Sequence, residues 1–172
     1  MSDRLVSDTP NGSTTGTEDS GGARVGRDEV TIVSRAASEL TPTELYELLR
    51  LRVDVFVVEQ ECPYPELDGR DLHADTHHVW ATSSDGRLAG CLRVLTEAGG
   101  VLRVGRVCTA AFARGTGVGG RLMQAAMDLA GDAECVLDAQ TYATGFYARF
   151  GFEPEGEVFL EDGIPHITMR RR

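Results

Sequence analysis

The stretch Arg114-Gly115-Thr116-Gly117-Val118-Gly119-Gly120 constrains the fold most, because an apolar, strand-like run (Val101 to Thr109) enters it and an amphipathic, helix-like run (Val118 to Ala130) leaves it. Glycines at 115, 117, 119 and 120 let the backbone turn tightly and come close to a ligand. Successive N–H groups at a helix N-terminus can then converge on one phosphate, with Arg114 adding charge-assisted donors beside them. The bland alternative is a glycine-rich turn that merely joins strand to helix.

Two other phosphate loops are excluded. All seventeen basic residues are arginine, so a Walker-type loop lacks its lysine: Gly120-Arg121-Leu122 stands where Lys-Ser/Thr is required. Schiff-base chemistry loses its nucleophile for the same reason. A dinucleotide fold wants its glycines after the first strand, with an acid about 20 residues on; here the loop lies two thirds of the way along.

At 172 residues with 41% apolar composition the chain fits one domain with a single core. Residues 1–27 are expected to be a disordered tail: Ser, Thr, Gly and Asp dominate, and too few apolar side chains are present to offset ordering entropy. The domain then occupies residues 28–172. No secretory signal is visible and no apolar run nears the roughly 18 residues of a membrane span, so a cytoplasmic protein without membrane partners is expected. Cys62, Cys91, Cys108 and Cys135 are scattered and read as reduced, mostly buried side chains. A net charge of −10 argues against nucleic acid as a partner.

Glu29 to Ser34 alternates as a first strand. Thr41-Pro42-Thr43-Glu44 starts a helix whose inner face carries Leu45, Leu48, Leu49, Arg52 and Phe56 and which ends before Pro63. A polar loop to Asp75 follows. Strands His77 to Ser83, Arg87 to Thr96 and Val101 to Thr109 form an antiparallel meander joined by short turns. Helix Val118 to Ala130, with Val118, Leu122, Ala126 and Leu129 inward, returns to a parallel strand from Cys135 to Ala139. A short helix near Ala143 to Phe150 and a hairpin, Glu157 to Leu160 with His166 to Arg170, complete an α/β (α+β) mixed, mostly antiparallel sheet with helices on both faces.

The order Val107-Cys-Thr109, Arg114-x-x-Gly117-x-Gly119, then Gly145-Phe146-Tyr147-Ala-Arg-Phe150-Gly151-Phe152 resembles the GCN5-related N-acetyltransferase (GNAT) superfamily. Within it, the chain resembles the ElaA-like group through Val55-Phe-Val-Val-Glu59-Gln60-x-Cys62-Pro63-Tyr64, Asp68-Gly-x-Asp71-Leu72, Thr76-His-His78 and Glu161-Asp-Gly-Ile-Pro-His166. The likeness spans Leu45 to Met169.

That resemblance implies an acetyl-CoA-dependent N-acetyltransferase working by direct transfer to a primary amine on a small molecule or peptide. It assigns the pyrophosphate to Arg114, Gly115, Thr116, Gly117, Val118, Gly119 and Gly120, and the pantetheine arm to the backbone of Val107, Cys108 and Thr109. An amide near Thr109 would polarise the thioester carbonyl, a contact that matters most where charge develops. Gln140, in a place where many relatives carry Asn, and Phe146 complete the cofactor residues. Tyr147 matches the tyrosine that protonates the departing thiolate; a phenol of reference pKa about 10 is a workable donor to a thiolate of about 8.5.

The base stays open among Glu59, Asp71, His78 and His166, or a water chain; Glu59 follows an apolar run and His78 opens a strand. The alternative Tyr147 role is a core aromatic, that of Glu59 a surface ion pair, and that of His78 a hydrogen-bonded core histidine. Glu59, Glu61, Glu66, Asp68 and Asp71 form either an acidic mouth for a cationic acceptor or a solvated loop. The Asp/His run from Asp68 to His78 lacks the helical His pair of a zinc enzyme, so no metal is expected. A CoA-binding module without chemistry fits the same motifs, and an exposed sheet edge is compatible with a homodimer.

Overall fold

The computed structural model describes residues 30–61 and 63–172; the expected tail and Cys62 lie outside them. Among the described residues seven strands form one sheet, β1 (Val30–Ala36), β2 (His77–Ser83), β3 (Leu88–Thr96), β4 (Leu102–Thr109), β5 (Cys135–Gln140), β6 (Glu153–Glu161) and β7 (Ile164–Arg171). Their order is β1-β2-β3-β4-β5-β7-β6. Every neighbouring pair is antiparallel except β4 with β5, so the expected mixed sheet is present.

Helix α1 (Pro42–Val53) starts as the sequence dictates. Thr41 Oγ1 accepts from the Glu44 amide, the Glu44 carboxylate accepts from the Thr41 amide, and proline fills the first turn where no amide is needed. The chain then widens into a π-helical turn over Asp54–Glu59. Leu48, Leu51 and Arg52 of α1 and Val55 and Phe56 of the wider turn face inward, while Leu45 and Leu49 are half-buried. Leu51 thus replaces the expected Leu45 and Leu49 at the core.

Helices α2 (Val118–Ala130) and α3 (Thr144–Ala148) cover the opposite face. One cluster joins α2 and Tyr147 of α3 to Leu92, Val107, Leu137 and Met169 of the strands. The other joins α1 to Trp80, Cys91 and Cys108. On α2 the buried arc centres on Leu122, Ala126 and Ala130, and Leu129 falls at its solvent edge with 40% exposure, a correction to the expected face. Among the described residues no helix is long and apolar enough to cross a membrane.

Candidate active site

The site begins where the sheet opens. β4 and β5 run parallel, and among the described residues their register holds two pairs, Leu102 with Cys135 and Arg103 with Val136. Beyond them the strands diverge, and Arg103 Nη1 meets Asp138 Oδ2 at 2.7 Å beside the point of divergence. The cause lies in β4. Its register with β3 shifts around Leu92, and Arg106 takes φ of 57°, a left-handed conformation that costs a non-glycine residue strain and marks a bulge. The bend turns the rest of β4 away from β5 and leaves a fork between them.

At the mouth of the fork, Gly115 and Gly117 both have positive φ, 74° and 85°. Gly117 is the N-cap of α2 in the left-handed region, a position that suits glycine and that points the first-turn amides of Val118, Gly119 and Gly120 out of the helix end. A Cβ at Gly117 or Gly120 would meet nothing within 4 Å, so the space beside the amides is open. Thr116 Oγ1 donates to the Ala113 carbonyl at 2.7 Å and pins the loop. Arg114 Nη2 lies 2.6 Å from Glu59 Oε2, which places Glu59 at the loop, in an ion pair with one of the expected anion donors.

Tyr147 is fully buried on the α2 side, edge-on to Phe146 (5.1 Å between centroids) and to Phe152 (6.4 Å). Val107 is buried on that side, while Cys108 faces α1. Cys108 Sγ lies 3.7 Å from Cys91 Sγ; that contact and burial push the Cys108 thiol well above its ordinary pKa, so it lines the strand as a neutral side chain. Gln140 ends β5, is 2% exposed, and its Nε2 has no hydrogen-bond partner among the described residues. An orphaned buried amide beside an open fork is what a strand-like ligand arm with its own carbonyls would satisfy.

On the α1 face lies a feature that the sequence reading missed. Arg52, Arg93 and Arg106, each at most 3% exposed, converge on Glu66, Asp68 and Asp71. Arg52 Nε is 2.6 Å from Glu66 Oε1, Arg106 Nε is 2.8 Å from Glu66 Oε2, and Arg93 Nη1 is 3.0 Å from Asp71 Oδ2. Tyr64 donates to Glu66 at 2.6 Å. Burial would raise the Asp68 and Asp71 carboxyls, but the arginines outweigh it and hold both below the usual range. The five acids do not act as one acidic mouth or one solvated loop: Glu66 and Asp71 are buried against arginines and the Asp68 carboxylate is clamped by Arg93, while Glu59 and Glu61 stay exposed. The visible signal was Arg52 on an apolar helix face.

His78 belongs to this network. Its Nε2 donates to the Asp71 carbonyl at 3.0 Å, burial lowers its pKa, and β3 and β4 separate it from β5. A cavity of 220 Å³ at the root of the fork is lined in part by Asp68, Arg93 and Arg106 of the network and by Arg103 and Asp138.

The comparisons with known proteins agree with this geometry. The family described as Acetyltransferase (GNAT) domain matches residues 49–172. The chain belongs to the GNAT acetyltransferase family. A UPF0039 protein of Mycobacterium tuberculosis is 54% identical over 138 residues, covering 78% of this chain and 88% of that protein. Protein ElaA of Escherichia coli is 41% identical over 140 residues, covering 78% and 91%. Among solved structures, Escherichia coli ElaA superposes with TM-score 0.78 at 38% identity, and an acyl-CoA N-acyltransferase from Pseudomonas aeruginosa with TM-score 0.77 at 46%. Each alignment covers 83% of this chain and 99% of the other. This GNAT chain therefore falls in the ElaA-like group and has the acyl-CoA N-acyltransferase fold.

Proposed function

We propose that this GNAT protein transfers the acetyl group of acetyl-CoA to a primary amine on a small molecule or peptide, within one ternary complex. The observation that carries the reading is the fork itself. A bulge at Arg106 opens β4 from β5, and the open strand leads into a helix N-terminus capped by left-handed Gly117. In this reading the amides from Gly115 to Gly120, with Arg114, hold the pyrophosphate, and the β4 backbone from Val107 to Thr109 pairs with the pantetheine arm.

The chain's contribution to the chemistry is positioning and charge. A β4 amide in the stretch from Val107 to Thr109 donates to the thioester oxygen as negative charge grows there. The Gln140 amide fixes the arm on the opposite wall, and the Tyr147 hydroxyl protonates the departing sulfur. Phe146 and Phe152 keep the Tyr147 ring in place. Holding the arm as a strand and delivering the amine beside it removes much of the entropy cost of the encounter.

The test is calorimetric titration with acetyl-CoA, then thiol release across polyamines, amino acids, aminoglycosides and peptide N-termini. The expected result is heat on titration and acceptor-dependent thiol from at least one class. Absence of heat overturns the reading, and binding without thiol release from any acceptor would leave a CoA-binding module.

A further inference from the structure

We infer that His166 is the group that takes the proton from the acceptor amine. The inference rests on the acyltransferase reading above and is carried by the hydrogen bonding of one imidazole.

His166 on β7 stands directly opposite Gln140 on β5, and the next pair along that face is Thr168 with Asp138. Cross-strand partners share a face, and Thr168 Oγ1 donates to Asp138 Oδ1 at 2.7 Å, so the four side chains form one row. Asp138 lines the cavity at the root of the fork, which puts the row on the cleft's α1 side, while Leu137, Ala139, Met169 and Tyr147 pack on the other. Gln140 closes β5 beyond the last β4–β5 pair, Arg103 with Val136, at the end of the strand that borders the fork. His166, paired with Gln140, therefore stands beside the fork on the face away from Tyr147.

The ring's protonation pattern is fixed by its neighbour. His166 Nδ1 lies 2.7 Å from the Ile164 carbonyl oxygen. A carbonyl oxygen can only accept, so Nδ1 carries the hydrogen and, in the neutral ring, Nε2 presents a lone pair. Nε2 is buried and has no hydrogen-bond partner among the described residues. Phe159 packs against the ring at 5.9 Å, tilted 32°, and holds its plane. A buried acceptor without a donor is costly to keep, and one on the row of side chains that leads through Asp138 to the cavity at the fork indicates a ligand that donates. An amine does so. Burial lowers the His166 pKa, against the charges of Glu161 and Asp138, so the ring is in its base form at neutral pH.

The other candidates are engaged. Glu59 is paired to Arg114 at the loop, Asp71 is clamped between Arg52 and Arg93, and His78 donates its Nε2 hydrogen to the Asp71 carbonyl. In the proposed step, the amine nitrogen bonds to the thioester carbonyl carbon and its proton passes to His166 Nε2. The C–S bond breaks with its electron pair on sulfur, and Tyr147 supplies the sulfur's proton. The imidazolium then returns a proton to the Tyr147 phenolate through solvent, so the net change is one proton moved from nitrogen to sulfur.

The experiment compares wild type, His166→Gln and His166→Ala in thiol release over a pH series, with acetyl-CoA titration as the check that each variant is folded. Both variants are expected to bind acetyl-CoA as wild type does and to lose ~10²-fold or more in kcat. The acidic limb of the pH profile should move to that of the amine's own ionisation, and free imidazole should restore part of the His166→Ala rate. Wild-type turnover in either variant overturns the proposal. So does a slowed variant with the wild-type pH profile and no response to imidazole, which would make His166 a packing residue. Absence of thiol release from wild type itself sinks the acyltransferase reading instead, and this inference with it.

Discussion

Arg52 on α1 and Asp71 on the loop before β2 form a two-pronged ion pair in which neither side chain is more than 5% exposed. The pair ties the end of α1 to the segment that leads into β2, and it shares Asp71 with Arg93 of β3. Removing Asp71 leaves two buried guanidinium groups short of a counter-charge. Asp71→Ala is therefore expected to lower stability by about 3–5 kcal/mol, measured by urea unfolding, because breaking a buried pair costs far more than its net worth. A loss under about 1 kcal/mol would show that the pair is open to water, as exposed ion pairs are.

Tyr147 makes a separate prediction because its ring and its hydroxyl do different things. The ring is fully buried between Phe146 and Phe152, so Tyr147→Phe keeps the packing and removes only the proton donor. Turnover should fall by about 10²-fold while calorimetric acetyl-CoA affinity stays unchanged. Weaker binding with undiminished turnover per bound complex would instead assign Tyr147 to holding the cofactor.

Glycines 90 and 117 should fail for different reasons. A Cβ at Gly90 would come within 2.7 Å of the Cys108 backbone carbonyl, so Gly90→Ala must push β3 off β4. Overpacking of this kind costs about 1–3 kcal/mol, and because β4 is one wall of the fork, acetyl-CoA affinity should fall with thermal stability. At Gly117 nothing lies within 4 Å of a new Cβ, but φ is +85°, so Gly117→Ala pays in backbone strain of about 1–2 kcal/mol. Its main effect should be a raised KM for acetyl-CoA. Unchanged KM in both variants would place the cofactor elsewhere.

Local chemistry made most of the scaffold legible. Thr41-Pro42-Thr43-Glu44 specified the start of α1, Asp85-Gly86 and Asp162-Gly163 marked hairpin turns, and the glycine run fixed the start of α2 at Val118. The interior charges were not legible, because whether Glu66 or Arg106 faces water depends on a bulge that no local pattern announces. Arg52 was visible on an apolar face, yet its carboxylate partners lie 14 and 19 residues away, beyond any helical spacing. The site was partly visible in the same way. Glu59 and His166 were singled out as proton acceptors by motif, but that Glu59 meets Arg114 and that His166 leaves Nε2 open are facts of tertiary packing.

The buried titratable groups predict a two-stage loss of stability in acid. His78 and His166 have pKa values lowered by burial from an ordinary 6.5, so below that value the unfolded chain binds protons that the folded one refuses. With more protons on the unfolded state, stability rises with pH, and it should therefore decline as pH falls from about 6.5 toward the folded-state values. Asp68 and Asp71 act later. Their arginine partners hold them below the ordinary 3.8, so they lend stability above that value and lose it as pH falls through their folded-state range. Urea midpoints taken from about pH 8 down to about pH 3 should show both declines. The double variant His78→Asn, His166→Asn should flatten the first and leave the second. A midpoint that stays constant from about pH 8 to about pH 5 in the wild-type chain would mean that neither imidazole is shielded as the structure places it.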